Sequence, residues 1–352
     1  MSIINSMKIS ESQRQEYLSH ALELRPQEVE KIEEYAEWLP PAIIDAHAHS
    51  NLPEHAIDVP YKAYNHMLST FPGYAIEESQ EVHRLLHPET QIRSIRFANT
   101  FKGIAHVAAN AYLLENCPDK DLVALYGLPE DIPYTTDMLK DPRVSGLKMY
   151  YSYLDPSATH IYEIFKPEIL EVAEQESVPI ILHTPKIITE SANDVLNMKR
   201  DFPNLKVSIA HLGSSKFDIP GLQDAYDSLA ESTDVVLDTA LNPSEEVCYR
   251  AIKTFGTQRI LYGTDGPLDL LRSVPYIHPK KGQRITTSHL YHWQDTKEHA
   301  EYKHLADGAI HAHWLCLDAL KSAIERLPKN EQDAAKQNIF HNNAEQFFGF
   351  GK

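Results

Sequence analysis

Short apolar runs alternate with amphipathic stretches along most of the chain. AIIDAHAH (42–49), DLVALY (121–126), RVSGLKMY (143–150), PIILH (179–183), KVSIAH (206–211), DVVLDT (234–239) and RILYG (259–263) read as strands. Between and after them, 160–177, 191–202, 220–231, 244–256, 307–327 and 331–347 carry helical periodicity. The later strands start near 179, 206, 234 and 259, a repeat of 25–28 residues. Strands separated by one helix each pair in parallel through right-handed crossovers. A series of this length predicts an α/β fold of the (β/α)8 TIM-barrel type. A doubly wound open sheet is the alternative, and the lack of a glycine-rich phosphate loop weighs against it.

Two segments interrupt the series. Residues 50–90 follow the first strand, and residues 266–304 follow RILYG. In a barrel these are long active-site loops after strands 1 and 8, because loops after strands form the catalytic face. Ahead of the barrel, 11–38 is charged and helical in pattern, broken at Pro26 and ended by Pro40-Pro41. The predicted organisation is an N-terminal helical extension, 1–40, and a barrel, 41–352.

Composition narrows the function. The 352 residues include 33 basic and 50 acidic side chains, for a net charge of −17. That balance argues against nucleic acid and against an anionic membrane surface as partners. Three cysteines, Cys117, Cys248 and Cys316, make no disulfide framework. The start, MSIINSMKIS, lacks a signal-peptide pattern, and no apolar run is long enough to span a bilayer. A cytoplasmic homo-oligomer acting on a small molecule is expected.

Histidine is over-represented, with 19 residues against 13 glycines. Chance alone gives about one H-x-H pair at this abundance, and the chain has two, His47/His49 and His311/His313. The second lies in a helical pattern, where i and i+2 diverge, so it reads as structural. The first closes a strand. Alternation there puts Asp45, His47 and His49 on one side, facing the barrel interior, and such a pair suits Zn²⁺ or a similar ion. His183 and His211 end their own strands, and Asp265 lies just past RILYG. Lys148, between Leu147 and Met149, faces inward if those two face the covering helices. A buried lysine is costly. It is either paired with a carboxylate or carbamylated by CO₂ into an anionic metal ligand.

The ordered set Asp45-x-His47-x-His49, Lys148, His183, His211 and Asp265 resembles the amidohydrolase superfamily of metal-dependent (β/α)8 hydrolases. GTDGP (263–267) looks like the strand-8 segment of its amidohydrolase-related branch, and GLKMY resembles the matching stretch of dihydroorotases. NNAEQFFGF (342–350) is similar to a segment that ends many members. The resemblance implies His47, His49, Lys148, His183, His211 and Asp265 as metal ligands. It implies one or two divalent ions, Zn²⁺ first and Mn²⁺, Fe²⁺ or Ni²⁺ as alternatives. Asp265, His211 and Lys148 are the implied catalytic groups, with Asp265 shuttling a proton from a metal-activated water. Asp45 would orient a histidine ring from behind.

The implied activity is hydrolysis of an amide, ester, lactone or phosphoester. The alternative is metal-dependent, non-oxidative decarboxylation, with one ion and an unmodified lysine. Tyr150, Arg96, Arg272 and His289 are the expected substrate contacts, with Tyr151, Tyr153, His278, Arg284 and His292 behind them. The basic loop 266–304 would suit an anionic substrate.

Overall fold

The computed structural model describes residues 22–57, 74–100, 103–151, 157–288, 290 and 294–350. Eight parallel strands form one sheet in sequence order: β1 Ala42–His49, β2 Gln91–Phe97, β3 Leu122–Tyr126, β4 Val144–Met149, β5 Ile180–Leu182, β6 Val207–Ile209, β7 Val235–Asp238 and β8 Ile260–Leu261. The sheet is brought round on itself by backbone bonds between its two edges. Ala46 N donates to Tyr262 O at 2.9 Å, Asp265 N to His47 O at 2.8 Å and His49 N to Gly266 O at 2.9 Å. This is the (β/α)8 barrel that the strand spacing predicts. No helix among the described residues is long and apolar enough to cross a membrane.

Two apolar layers explain the strand sequences. Ile44, Ala46, Ile95, Phe97, Ala124, Ile181, Val236 and Leu261 fill the barrel interior, where Phe348 and Phe350 join them. Ile43, Leu125, Leu147, Met149, Ile180, Leu182, Val207, Ile209 and Leu237 belong to the larger core outside the strands. Strands covered on both faces read as nearly continuous apolar runs. The closing NNAEQFFGF therefore has a packing role. Its aromatic rings join the interior, and Asn343 Nδ2 donates to Thr257 O at 2.7 Å and Ile260 O at 2.8 Å.

Several elements differ from the sequence reading. β2, QIRSIRF, was not anticipated, because Arg93 and Arg96 interrupt its apolar run. The stretch 160–177 is two helices, α5 Ile161–Ile164 and α6 Pro167–Gln175, with Pro167 in the first turn of the second. Proline lacks the N–H a continuous helix would need there. The last helix is interrupted by a π-turn at Asn338–Asn342. The excursion after β8 is structured: β9 Ser273–His278 and β10 Gly282–Thr287 pair antiparallel, and α10 Thr296–Tyr302 follows.

At the N-terminal end, α1 Pro26–Trp38 begins at Pro26, which fits a first helical position. It docks on α11 Ala312–Glu325, with Tyr35 stacked on Trp314 at 5.8 Å between centroids. Two further helices matter below: α2 Ile76–Leu86 and α7 Ile188–Asp201.

Candidate metal centre

β1 does not keep strict alternation. Its register with β2 shifts between Asp45 and Ala48. A bulge of this kind re-aims side chains, and here it separates Asp45 from the two histidines. Asp45 lines a small cavity with Val82 and Leu86 of α2, outside the strands. Its Oδ1 accepts from His47 N and Thr264 N, both at 3.0 Å, and its Oδ2 from Thr264 Oγ1 at 2.6 Å. Asp45 thus ties strand 1 to the end of strand 8 through the backbone. It does not orient a histidine ring, as the alternation had implied. Burial pushes its carboxyl up to about 7, against those hydrogen bonds.

The ring of His47 is held instead by Asp238, the last residue of β7. His47 Nδ1 lies 2.9 Å from Asp238 Oδ2, with both side chains fully buried. Asp238 Oδ1 also accepts from His211 N at 2.8 Å and Ala240 N at 3.2 Å. One carboxylate therefore orients two strand ends. It was missed in the sequence, although it ends DVVLDT at the same carboxyl-end position as the histidines.

His211 sits in a tight left-handed turn. His211, Leu212, Gly213 and Ser214 have φ of 56°, 49°, 74° and 59°. Left-handed backbone costs about 1–2 kcal/mol per non-glycine residue. The turn is held by Asp238 on His211 N and by Tyr226 OH, which donates to Leu212 O at 2.8 Å. Asp265 also has positive φ, 63°. Strain of this kind clusters where side chains must be aimed.

These elements bring His47, His49, Lys148, His211 and Asp265 together. Asp265 Oδ1 is 3.0 Å from His49 Nε2 and 3.2 Å from His47 Nε2. His47, His211 and Asp265 each offer a ligand atom within 4.8 Å of the others. The ring of His183, half-buried, lies 5.4 Å from that of His211 and 4.6 Å from that of Tyr150. All four imidazoles share one arrangement. The Nδ1 atoms of His47, His49, His183 and His211 face Asp238, Ala98 O, Thr184 O and Ala240 O at 2.9, 3.2, 3.1 and 2.9 Å. Nδ1–H donation to an oxygen leaves Nε2 with its lone pair free, which is how metal-ligating histidines are set. The donor set is chemically fit for a divalent ion.

Lys148 is buried, its Nζ 3.0 Å from His47 Nε2 and 4.6 Å from the centre of the Phe97 ring. Leu147 and Met149 do face the outer core. Burial lowers its ammonium pKa to about 8, with Asp265 and Asp238 opposing. Burial likewise lowers His211 to about 4 and His183 well below the usual range. His47 moves the other way: burial and Lys148 oppose its charge, but Asp238 and Asp265 prevail and raise it. Asp265 is held well below the carboxylate range by His211, His47 and His49, despite its burial.

The expected substrate contacts are distributed differently. Tyr150 stands beside His183, as above. Arg96 does not reach the mouth: it is fully buried, with Nε 2.8 Å from Asp121 and NH1 2.6 Å from Ser79 Oγ. Arg272 binds Glu28 of α1 at 3.2 Å and fastens the N-terminal helix. Tyr151 packs in the outer core against Phe165. Arg284 and Lys281 both pair with Glu298, at 2.9 and 2.5 Å, and His278 Nδ1 accepts from Lys280 N. Part of the loop's positive charge is therefore met within the loop itself. His289, His292 and Tyr153 lie outside the described residues. His311 and His313 share no ion: His311 pairs with Glu28 at 3.0 Å, and His313 with Asp269 at 2.9 Å.

No curated protein matches the chain by sequence. Solved structures do match in fold. Amidohydrolase 2 from Bifidobacterium longum subsp. infantis is 16% identical, with TM-score 0.55, over 88% of this chain and 100% of that one. An amidohydrolase from Burkholderia multivorans with bound zinc is 13% identical, with TM-score 0.56, over 88% and 99%. A 5-carboxyvanillate decarboxylase from Novosphingobium aromaticivorans with manganese is 12% identical, with TM-score 0.53, over 88% and 96%. The amidohydrolase family pattern covers residues 44–350, β1 to the last aromatic residue of the interior layer, and the chain belongs to that family.

Proposed function

We propose that the centre takes one divalent ion and that the protein is a non-oxidative decarboxylase of a small carboxylic acid. One observation carries this choice over hydrolysis. Lys148 Nζ already stands at hydrogen-bond distance, 3.0 Å, from His47 Nε2. That placement suits a plain amine. The centre then has a single cluster of donors, and the lysine contributes charge to it.

His47, His211 and Asp265, whose ligand atoms lie within 4.8 Å of one another, would hold the ion, with His49 and His183 beside them. When bound, such an ion polarises a coordinated carboxylate or water and offsets developing negative charge. The protein's own groups do the rest. Lys148 and the histidines receive an anionic substrate. Asp265 carries the proton delivered to the carbon as its bond to CO₂ breaks, so that R–COO⁻ and H⁺ give R–H and CO₂. The decarboxylase from Novosphingobium was crystallised with an aromatic acid, 4-hydroxy-3-methoxy-5-nitrobenzoic acid. Hydroxylated benzoates are accordingly the first substrates to assay.

The hydrolase reading keeps one specific support. A buried amine whose pKa is lowered to about 8 is partly neutral near pH 7, and a neutral amine can take up CO₂. In that case a carbamylated Lys148 would join the histidines and Asp265 in holding the metal, Zn²⁺ first, which would supply an activated water, and Asp265 would shuttle its proton. Elemental analysis and intact mass decide between the readings. One ion per chain and an unmodified lysine are expected, with CO₂ release from an acid panel. Two ions, a mass gain of one CO₂ and ester or lactone hydrolysis would overturn the decarboxylase. Unchanged metal content in a His47→Ala, His49→Ala double variant would refute the centre altogether.

A further inference from the structure

His47 Nδ1 faces Asp238 Oδ2 at 2.9 Å, so its ring keeps one lone pair, on Nε2. Lys148 Nζ stands 3.0 Å from that Nε2. An ammonium has three donors and no acceptor, so the contact is an N–H given to the lone pair. Metal binding by histidine uses the same unprotonated nitrogen. A single lone pair serves one partner at a time. The Lys148–His47 hydrogen bond and coordination of an ion by His47 therefore exclude one another.

The surroundings call for a cation at this point, whichever kind it is. Two buried carboxylates flank the His47 ring, Asp238 at 2.9 Å from Nδ1 and Asp265 at 3.2 Å from Nε2. Buried charges of this kind need compensation. The lysine supplies one positive charge on a flexible four-carbon stem, and a divalent ion would supply two. Phe97 gives the ammonium a second support. Its fully buried ring crosses those of His47 and His49 at 72° and 77°, with centroids 5.0 and 4.6 Å away. Lys148 Nζ lies 4.6 Å over the centre of the same ring. A cation within about 6 Å of an aromatic face is attracted to it, so the ammonium can leave His47 and still keep a partner.

We infer that Lys148 guards the metal site: its ammonium occupies the lone pair of His47 and must withdraw to the face of Phe97 before His47 can bind an ion. This rests on the metal centre proposed above and not on the reaction carried out there. Withdrawal also frees an N–H for the carboxylate of an acid substrate. The role is opposite in sign to that of a ligand. A lysine that ligates, as a carbamate, strengthens metal binding, whereas a lysine that competes weakens it.

The test is zinc affinity, read by competition against a chelator of known affinity, for the parent and for Lys148→Met. Methionine keeps most of the stem and removes the donors. The variant should bind zinc about 10- to 100-fold more tightly, the worth of one hydrogen bond to a charged group. Binding that is weaker, or equal within about threefold, would overturn the inference and leave the centre standing. No zinc on either protein would refute the centre and the inference together. Tighter binding in Lys148→Met, in a protein that releases no CO₂ from any acid, would support the inference and overturn the decarboxylase. Because replacing a buried lysine can disturb the fold, the parent is also to be crystallised with zinc. Lys148 Nζ should then lie more than about 3.5 Å from His47 Nε2, beyond hydrogen-bond reach, with zinc on that nitrogen. A retained hydrogen bond between the two in the zinc-loaded parent would overturn the inference without any variant.

Discussion

Asp238→Asn isolates what a single buried carboxylate does for this site. Its Oδ1 accepts from two backbone donors, His211 N at 2.8 Å and Ala240 N at 3.2 Å, and its Oδ2 from His47 Nδ1–H at 2.9 Å. Asparagine has the same shape but only one acceptor oxygen. The backbone donors cannot change, so the amide oxygen must stay with them. The NH₂ then faces His47 Nδ1. To avoid a donor–donor clash, His47 must adopt the other tautomer, with Nδ1 bare and Nε2 protonated. Its Nε2–H then points at Asp265 and Lys148, and the lone pair that would bind an ion is lost. Removing such a supporting partner typically costs 10- to 100-fold in metal affinity, or about 1.4–2.7 kcal/mol. The assay is competition of the purified variant against a chelator of known zinc affinity, with thermal melting as a fold control. Zinc affinity within twofold of the parent would refute the argument that Asp238 sets the His47 tautomer.

Three further perturbations follow from the same geometry. Gly213→Ala places a Cβ 2.4 Å from Ile188 Cβ at φ +74°, so left-handed strain and overpacking on α7 together should cost about 2–4 kcal/mol in urea unfolding; a loss under 1 kcal/mol would show that the turn relaxes freely. Glu28→Gln breaks a buried cluster in which the carboxylate meets His311 Nδ1 at 3.0 Å, Arg272 at 3.2 Å and Arg25 N at 2.8 Å; about 3–5 kcal/mol should be lost and α1 should become protease-sensitive, and an unchanged melting point would contradict it. Glu298 is held at about 2 by Lys281, Tyr276 and Arg284. Its stabilisation is therefore full above its ordinary value of 4.5 and fades as pH falls towards 2. With Lys281 and Arg284 about half exposed, each pair is worth roughly 0.2–1 kcal/mol, so Glu298→Gln should lower stability at pH 7 and make little difference near pH 2, as read by denaturation at the two pH values.

The barrel was legible because its physics is local. Strand runs such as KVSIAH and DVVLDT recur at a fixed spacing, and each is buried on both faces. Placement of polar residues at strand ends was equally visible, which is how His47, His49, Lys148, His183, His211 and Asp265 could be named from the chain alone. Proline positions marked helix starts but were under-weighted at Pro167.

What the chain did not show depends on neighbours distant in sequence. The bulge in β1 is set by its pairing with β2 and by Thr264, so two-residue alternation placed Asp45 on the wrong face. Asp238 lies 191 residues from the ring it holds. Arg96 and Arg272 look like substrate contacts until Asp121 and Glu28 are seen to claim them. Composition and periodicity report which side chains can be buried or bind a metal. Only the tertiary structure decides which carboxylate each cation meets, because in a low-dielectric interior every charge must find its partner there.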